Sequence, residues 1–229
     1  MQFKNIIIVF LVFSIVSLSS CVSKEKMIYL QNEAKSGEVL SYEPVLQPDD
    51  VLLIVVSSEN PEVAAPYNLK SVSVQSSSET EVVNQRLLSY LVNKEGEIMF
   101  PLLGAIKVGG LTIREATDKI KLVLKDHVKD AVVSIRILNF KISVLGEVQK
   151  PGTFSINSER ITILEALSMA GDLTIYGKRQ NILLIREKEG VKTMERIDLT
   201  KPDFLNSSSY YLSQNDVVYV EQNKTRINS

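Results

Sequence analysis

One cysteine and one histidine in 229 residues leave little material for covalent or metal chemistry. Cys21 has no second thiol to work with, so thiolate clusters for zinc are excluded. His127 falls at the polar end of a predicted helix, where a surface position beside the helix dipole explains it better than catalysis does. The Gly-x-Ser-x-Gly nucleophile turn and the Gly-rich phosphate loops are absent. Val108-Gly109-Gly110-Leu111 lacks the lysine or third glycine such a loop needs and reads as a turn before a helix. No charge excess exists either: 26 Lys and Arg stand against 27 Asp and Glu. A chain this close to neutral has no field to gather nucleic acid or an anionic surface. What is present is ordinary globular material, 45% hydrophobic and 23% charged, enough for one or two domains.

The first twenty residues differ from the rest. Lys4 is their only charge, and Ile6 to Val16 is apolar apart from Ser14. Eleven helical residues rise about 16 Å, half of a bilayer core, which suits a secretory signal and not a span. Leu18-Ser19-Ser20-Cys21 then resembles a lipobox, in which signal peptidase cuts before the cysteine. Small side chains let extended backbone enter a tight cleft, and the thiol carries the thioether-linked lipid. Acylation also removes the one unpaired thiol from an oxidising compartment. Several acyl chains on Cys21 would anchor stably where one would not. Val22 after the cysteine, by resemblance to lipoprotein sorting, favours the outer membrane with the bulk in the periplasm. The formal charge falls from −1 to −2 as Lys4 leaves.

Residues 1–20 are thus expected to be the signal peptide, and 21–41 a lipidated tether. Pro48-Asp49-Asp50 is a turn that feeds Val51–Val56, a β-branched run expected as a strand buried on both faces. The paired aspartates have no third ligand at metal spacing. Ser57 to Glu81 is polar and serine-rich with two prolines, and reads as a long excursion with a short strand near Val72–Val74. A strand is expected at Leu87–Asn93.

A shift of fifty residues lays Gly96–Ala116 over Gly146–Ala166 with eight identities in 21 positions. These are Gly96-Glu97, Pro101, Ile106, Thr112-Ile113 and Glu115-Ala116 against Gly146-Glu147, Pro151, Ile156, Thr162-Ile163 and Glu165-Ala166. Each copy reads as strand, Pro/Gly turn, strand, then a helix opened by a capping box. The helices are expected at Ile113–His127, with Ile113, Ala116, Ile120, Val123 and Leu124 on one face, and at Ile163–Ala170, stopped by Gly171. Strands follow at 132–138, 142–148, 182–186, 194–199 and 217–220. The fold class is α+β, in tandem small modules that join near Asn139-Phe140.

Glu147 and Glu165 could pair for glycoside cleavage. However, Glu97 and Glu115 hold the same places in the first copy, so turn and cap roles are the more economical reading. Tyr176-Gly177-Lys178-Arg179 is a candidate loop for contacting sugar or a neighbouring subunit. No catalytic residue, cofactor or metal is expected, and the chain reads as no enzyme.

Together, several motifs resemble one family. They are Leu46-x-Pro48-x-Asp50-Val51-Leu52, Gly96-x-Ile98-x-x-Pro101-Leu102-Leu103-Gly104, Gly109-x-Leu111-Thr112, Gly146-Glu147-Val148-x-x-Pro151-Gly152, Leu164-x-Ala166-Leu167 with Ala170-Gly171, and Asn215-Asp216-Val217-Val218-Tyr219-Val220. In this order they resemble the Wza-type polysaccharide export lipoproteins of capsule and exopolysaccharide secretion. The resemblance implies a polysaccharide export domain over 42–139 and a soluble-ligand-binding β-grasp (SLBB) domain over 140–222, with 223–229 a polar tail. It also implies a homo-oligomeric ring, commonly octameric, whose lumen passes the polymer, and an inner-membrane copolymerase or tyrosine kinase as partner. Two departures stand out. Only one β-grasp module can be placed, and Gln222–Ser229 is too short and polar to span a membrane. Either a further segment or another component would then supply the pore. The alternative reading is a lipid-anchored glycan-binding or scaffolding module of the envelope without a conduit of its own.

Overall fold

The computed structural model describes residues 27–31, 42–77, 80–188 and 190–223, with the side chains of 71–87 left aside. The signal segment, Cys21 and the tail 224–229 lie outside the described residues. The backbone is α+β as expected, with strands in mixed sheets and three helices among the described residues.

The first module forms around β1 (Val51–Ser57), which pairs antiparallel with β4 (Tyr90–Leu91) on one side and β7 (Val132–Ile137) on the other. Leu52, Ile54 and Val56 are buried to 3% exposure or less, whereas Val51, Leu53 and Val55 are half-buried. The strand is therefore covered on one face, not both. Its two-residue period gives one side to the core, and the second face of this small antiparallel sheet carries no comparable cover. The serine-rich stretch is no loop. It holds α1 (Pro61–Ala64), a 3₁₀ turn at Ala65–Tyr67, and a hairpin of β2 (Lys70–Ser77) and β3 (Thr80–Leu87). Ser71-Val72-Ser73-Val74 alternates polar and apolar residues at strand period, and eight residue pairs from Lys70/Leu87 to Ser77/Thr80 satisfy the backbone. The strand expected at Leu87–Asn93 shrinks to β4, because β3 takes Leu87.

Next come the hairpin of β5 (Glu97–Phe100) and β6 (Gly104–Lys107), then α2 (Ile113–Leu124) packed on β7. Thr112 and Glu115 form the expected capping box: the Thr112 hydroxyl accepts from the Glu115 amide at 3.2 Å, and the Glu115 carboxylate accepts from the Thr112 amide at 2.8 Å. Ala116, Ile120 and Leu124 are buried as the pattern demanded. Val123 is 39% exposed, and α2 ends three residues before His127.

The second module is built on a five-stranded sheet ordered β12-β11-β14-β8-β9. Its strands are β8 (Lys141–Gly146), β9 (Gly152–Ser155), β11 (Gly177–Lys188), β12 (Val191–Ile197) and β14 (Val217–Gln222). Only β14 and β8 run parallel. The short pair β10 (Ile161–Thr162) and β13 (Tyr211–Leu212) flanks α3 (Ile163–Met169). A second hydrophobic cluster joins Ile163, Ala166 and Leu167 of α3 to Ile142, Val144, Ile182, Leu184, Val218 and Val220 of the sheet. Gly171, at φ +74°, stops the helix as expected.

The fifty-residue repeat holds only in part. Gly96 and Gly146 both adopt positive φ, and Thr162-Glu165 closes a capping box like that of Thr112-Glu115. The strands are offset, however: Gly96 precedes β5, whereas Gly146 ends β8. The two copies therefore use the same turn and helix start in different sheets. A truer correspondence lies elsewhere. Asp49 and Asn215 both sit at positive φ, 70° and 64°. The next aspartate accepts from the amide three residues back, Gln47 for Asp50 at 2.8 Å and Ser213 for Asp216 at 2.7 Å. Both turns launch an apolar strand.

Asn139 sits at the join. Its side chain accepts from the Val51 amide and donates to the Asp49 carbonyl, while its own carbonyl accepts from Gln214. The segment expected as a tether is also engaged where it is described. Tyr29 to Gln31 lie on the second module, and Tyr42 stacks on Tyr211 with ring centroids 5.0 Å apart just before Glu43 pairs with Arg114 of the first module.

Candidate functional site

One face of the five-stranded sheet packs on α3 and the other is open. Register sets its composition. Leu145, Tyr219, Leu183 and Arg196 lie in one cross-strand row, and Thr153, Ser143, Val217, Ile185 and Met194 in the next. Met194 is 71% exposed, Leu145 43% and Tyr219 38%, so the strip is apolar and reachable. Beside it stands a polar array centred on Glu221. Its carboxylate accepts from Lys178 at 3.1 Å, Asn181 at 2.7 Å and Arg196 at 2.7 Å, and Arg196 also donates to the Asn181 amide oxygen at 2.8 Å. Hydrogen bonds from Arg196 and Lys178 hold the Glu221 carboxyl down at about 2, so it stays ionised across the physiological range. Two cations and one carboxylate leave one net positive charge. Exposed pairs of this kind add little stability. Their effect is to fix the donors in place on the face that also carries Tyr219, an amphipathic surface.

A second polar centre is structural. Arg186 is 19% exposed and grips the fully buried Asp216 through Nη2 at 2.6 Å and Nε at 3.1 Å, and Nη2 also donates to the Tyr211 carbonyl at 2.9 Å. Burial works against the Arg186 charge, but the Asp216 hydrogen bonds and charge outweigh it and raise the guanidinium pKa. In the first module, Asp50 has no such cation among the described residues. One of its oxygens is buried without a partner, and burial lifts its carboxyl to about 6.

The residues singled out from sequence fall as follows. Cys21 lies outside the described residues. His127 is exposed and tilts against the Tyr67 ring at 5.9 Å. Glu147 is buried and accepts from the Thr174 hydroxyl at 2.6 Å, and Glu165 caps α3. Val108–Leu111 is the turn before α2, where Gly109 meets the Gly96 backbone too closely for any side chain. The loop read at Tyr176–Arg179 is mostly the start of β11. Arg179 is only 6% exposed and binds the Thr174 and Gly177 carbonyls at 2.8 Å, so it cannot meet a sugar, whereas Lys178 joins the Glu221 array. Arg196, Asn181, Glu221 and Tyr219 went unnoticed as a group. The alternation in Val217–Gln222 was the available signal, since it puts Val217, Tyr219 and Glu221 on one side.

Among the described residues no helix is long and apolar enough to cross a membrane, which says nothing of β-barrels, and no three His, Asp or Glu converge as a metal site would. The polysaccharide biosynthesis/export protein model matches residues 39–138, and the SLBB domain model matches residues 140–220. The chain belongs to the polysaccharide biosynthesis/export protein family. That family is one of export proteins and not of enzymes. Among its relatives is the EPS I polysaccharide export outer membrane protein EpsA of Ralstonia solanacearum, 32% identical over 177 residues, which are 75% of this chain and 46% of that protein. The protein of the same name in Ralstonia nicotianae is 32% identical over 178 residues, 76% of this chain and 46% of its own length. The chain thus spans about half the length of the curated relatives it matches.

Proposed function

We propose that this protein is an outer-membrane lipoprotein, anchored through Cys21, that assembles with further copies of itself into a periplasmic ring for the export of capsular polysaccharide or exopolysaccharide. The observation that carries this reading is the pair of family matches in tandem over 39–138 and 140–220, in a chain whose relatives are named for polysaccharide export at the outer membrane. The two modules are the export domain (42–139) and the SLBB domain (140–222). The chain acts without catalysis: it offers the passing glycan a wet, weakly binding wall, since a tight site would stall a long polymer. The open sheet face with Tyr219, Lys178 and Arg196 suits such contact, and an inner-membrane copolymerase with its tyrosine kinase delivers the polymer.

Deleting the gene and restoring it with wild type or Cys21→Ala tests this reading. Loss of surface polysaccharide with intracellular build-up, rescued only by the acylatable chain, is the expected result. Normal secretion in the deletion strain would reject export and favour an envelope scaffold. Electron microscopy of the lipidated protein in detergent tests the ring directly, and a monomer at every concentration would reject it.

A further inference from the structure

The segment between Cys21 and the first module is bound to the second module at two places. At the first, the Tyr29 hydroxyl donates to the Asp172 carboxylate and the Arg179 guanidinium lies over the Tyr29 ring, 5.9 Å from its centroid. The backbone follows the side chain. Leu30 N donates to the Leu199 carbonyl at 3.1 Å and Gln31 N to the Thr200 carbonyl at 2.9 Å. Tyr29 also lines, with Leu164, Leu167, Ser168, Gly171 and Asp172, an open groove of about 440 Å³ beside this contact. Burial and the Asp172 carboxylate both push the Tyr29 phenol up, so it stays a neutral donor. Arg179 is itself held in place by the Leu173, Thr174 and Gly177 carbonyls. At the second place, the Tyr42 hydroxyl donates to the Leu212 carbonyl at 3.0 Å. The first module is reached directly afterwards, where Glu43 pairs with Arg114 of α2 at 3.2 Å and the Leu46 amide donates to the Leu111 carbonyl.

Chain length turns this into a statement about orientation. Eight residues separate Cys21 from Tyr29, and a fully extended chain covers at most about 29 Å in eight residues. We propose that Tyr29 to Gln31 form a docking strap, seated between Asp172, Arg179 and the Leu199-Thr200 backbone, which couples the lipid anchor to the second module and holds that module on the membrane side. Force on the anchor then passes into α3 and the sheet of the second module, and the first module hangs from them. The inference rests on acylation of Cys21 as proposed above. The seat itself does not, so the two can fail separately.

The test uses the full lipidated chain in liposomes that carry a nickel-chelating lipid. Hydrogen exchange at Leu30 and Gln31 should be slowed at least about tenfold against Tyr29→Ala, with Tyr29→Phe between the two. Nitroxides attached after Met169→Cys in α3 and Leu122→Cys in α2 should relax unequally, the Met169 position being nearer the headgroups, and Tyr29→Ala should erase the difference. Equal relaxation in the wild-type background would overturn the orientation. Unprotected amides at Leu30 and Gln31, or protection that appears only on oligomerisation, would overturn the seat within one chain. Absence of labelled palmitate on Cys21 with the amides still protected would reject the anchor and leave the seat standing.

Discussion

Replacing Arg186 by methionine should be among the costliest single changes in the second module. Asp216 has no solvent exposure and is held by two Arg186 nitrogens and the Ser213 amide. Methionine fills much of the arginine stem's volume but leaves the carboxylate with the amide alone. Removing one partner of a buried pair costs about 3–5 kcal/mol, because the other charge stays desolvated. At about 2–4 °C per kcal/mol for a chain of this size, the melting temperature should fall by roughly 6–20 °C. Adding Asp216→Asn removes the stranded charge and keeps an acceptor for the Ser213 amide. The double variant should therefore recover more than half of the loss, a coupling that thermal melts followed by circular dichroism would resolve. A melting point for Arg186→Met within about 2 °C of wild type, on the same conversion, would refute the reasoning. So would a double variant no more stable than the single.

Gly146→Ala should cost more than about 4 kcal/mol and prevent the second module from folding, since an added Cβ would lie 2.1 Å from the Val220 carbonyl oxygen. Gly104→Ala, at φ +77° in open space, should cost only about 1–2 kcal/mol, and soluble yield with melting temperature separates the two. Thr162→Ala removes the acceptor of the Glu165 amide and should lower stability by about 1 kcal/mol in urea titration. Asp50 makes a pH prediction. Its folded pKa of about 6 exceeds the unfolded 3.8, so the folded state binds the extra proton; this contribution is full below 3.8 and lost as pH rises through 6. Stability measured from pH 7 down to pH 5 should therefore rise more in wild type than in Asp50→Asn, and carboxyl NMR should show a titration near 6.

Local chemistry was legible where one short stretch decides the outcome. Thr112-x-x-Glu115 and Thr162-x-x-Glu165 open helices because cap and acid lie within one turn, and Gly171 ends one because only its own φ is at stake. Of the β2–β3 hairpin only the short strand near Val72–Val74 was legible, because serine dilutes the apolar signal of a strand and β3 went unread. The repeat misled for a different reason: identical turns can enter different sheets, and sheet membership is decided by distant partners. The same distance hid the open face. Lys178, Asn181, Arg196 and Glu221 converge only after three strands align, and the Tyr29 seat joins residues 143 positions apart.

In the second module, β14 lies between β11 and β8, with two strands on either side. It is also the last of the five to leave the ribosome. Until residues 217–222 arrive, the module is two separate hairpins, β8 with β9 and β11 with β12, each showing an unpaired backbone edge where β14 belongs. Premature sheet closure is thus ruled out by connectivity. A product cut short before Val217 would carry two sticky rims and no means of sealing them.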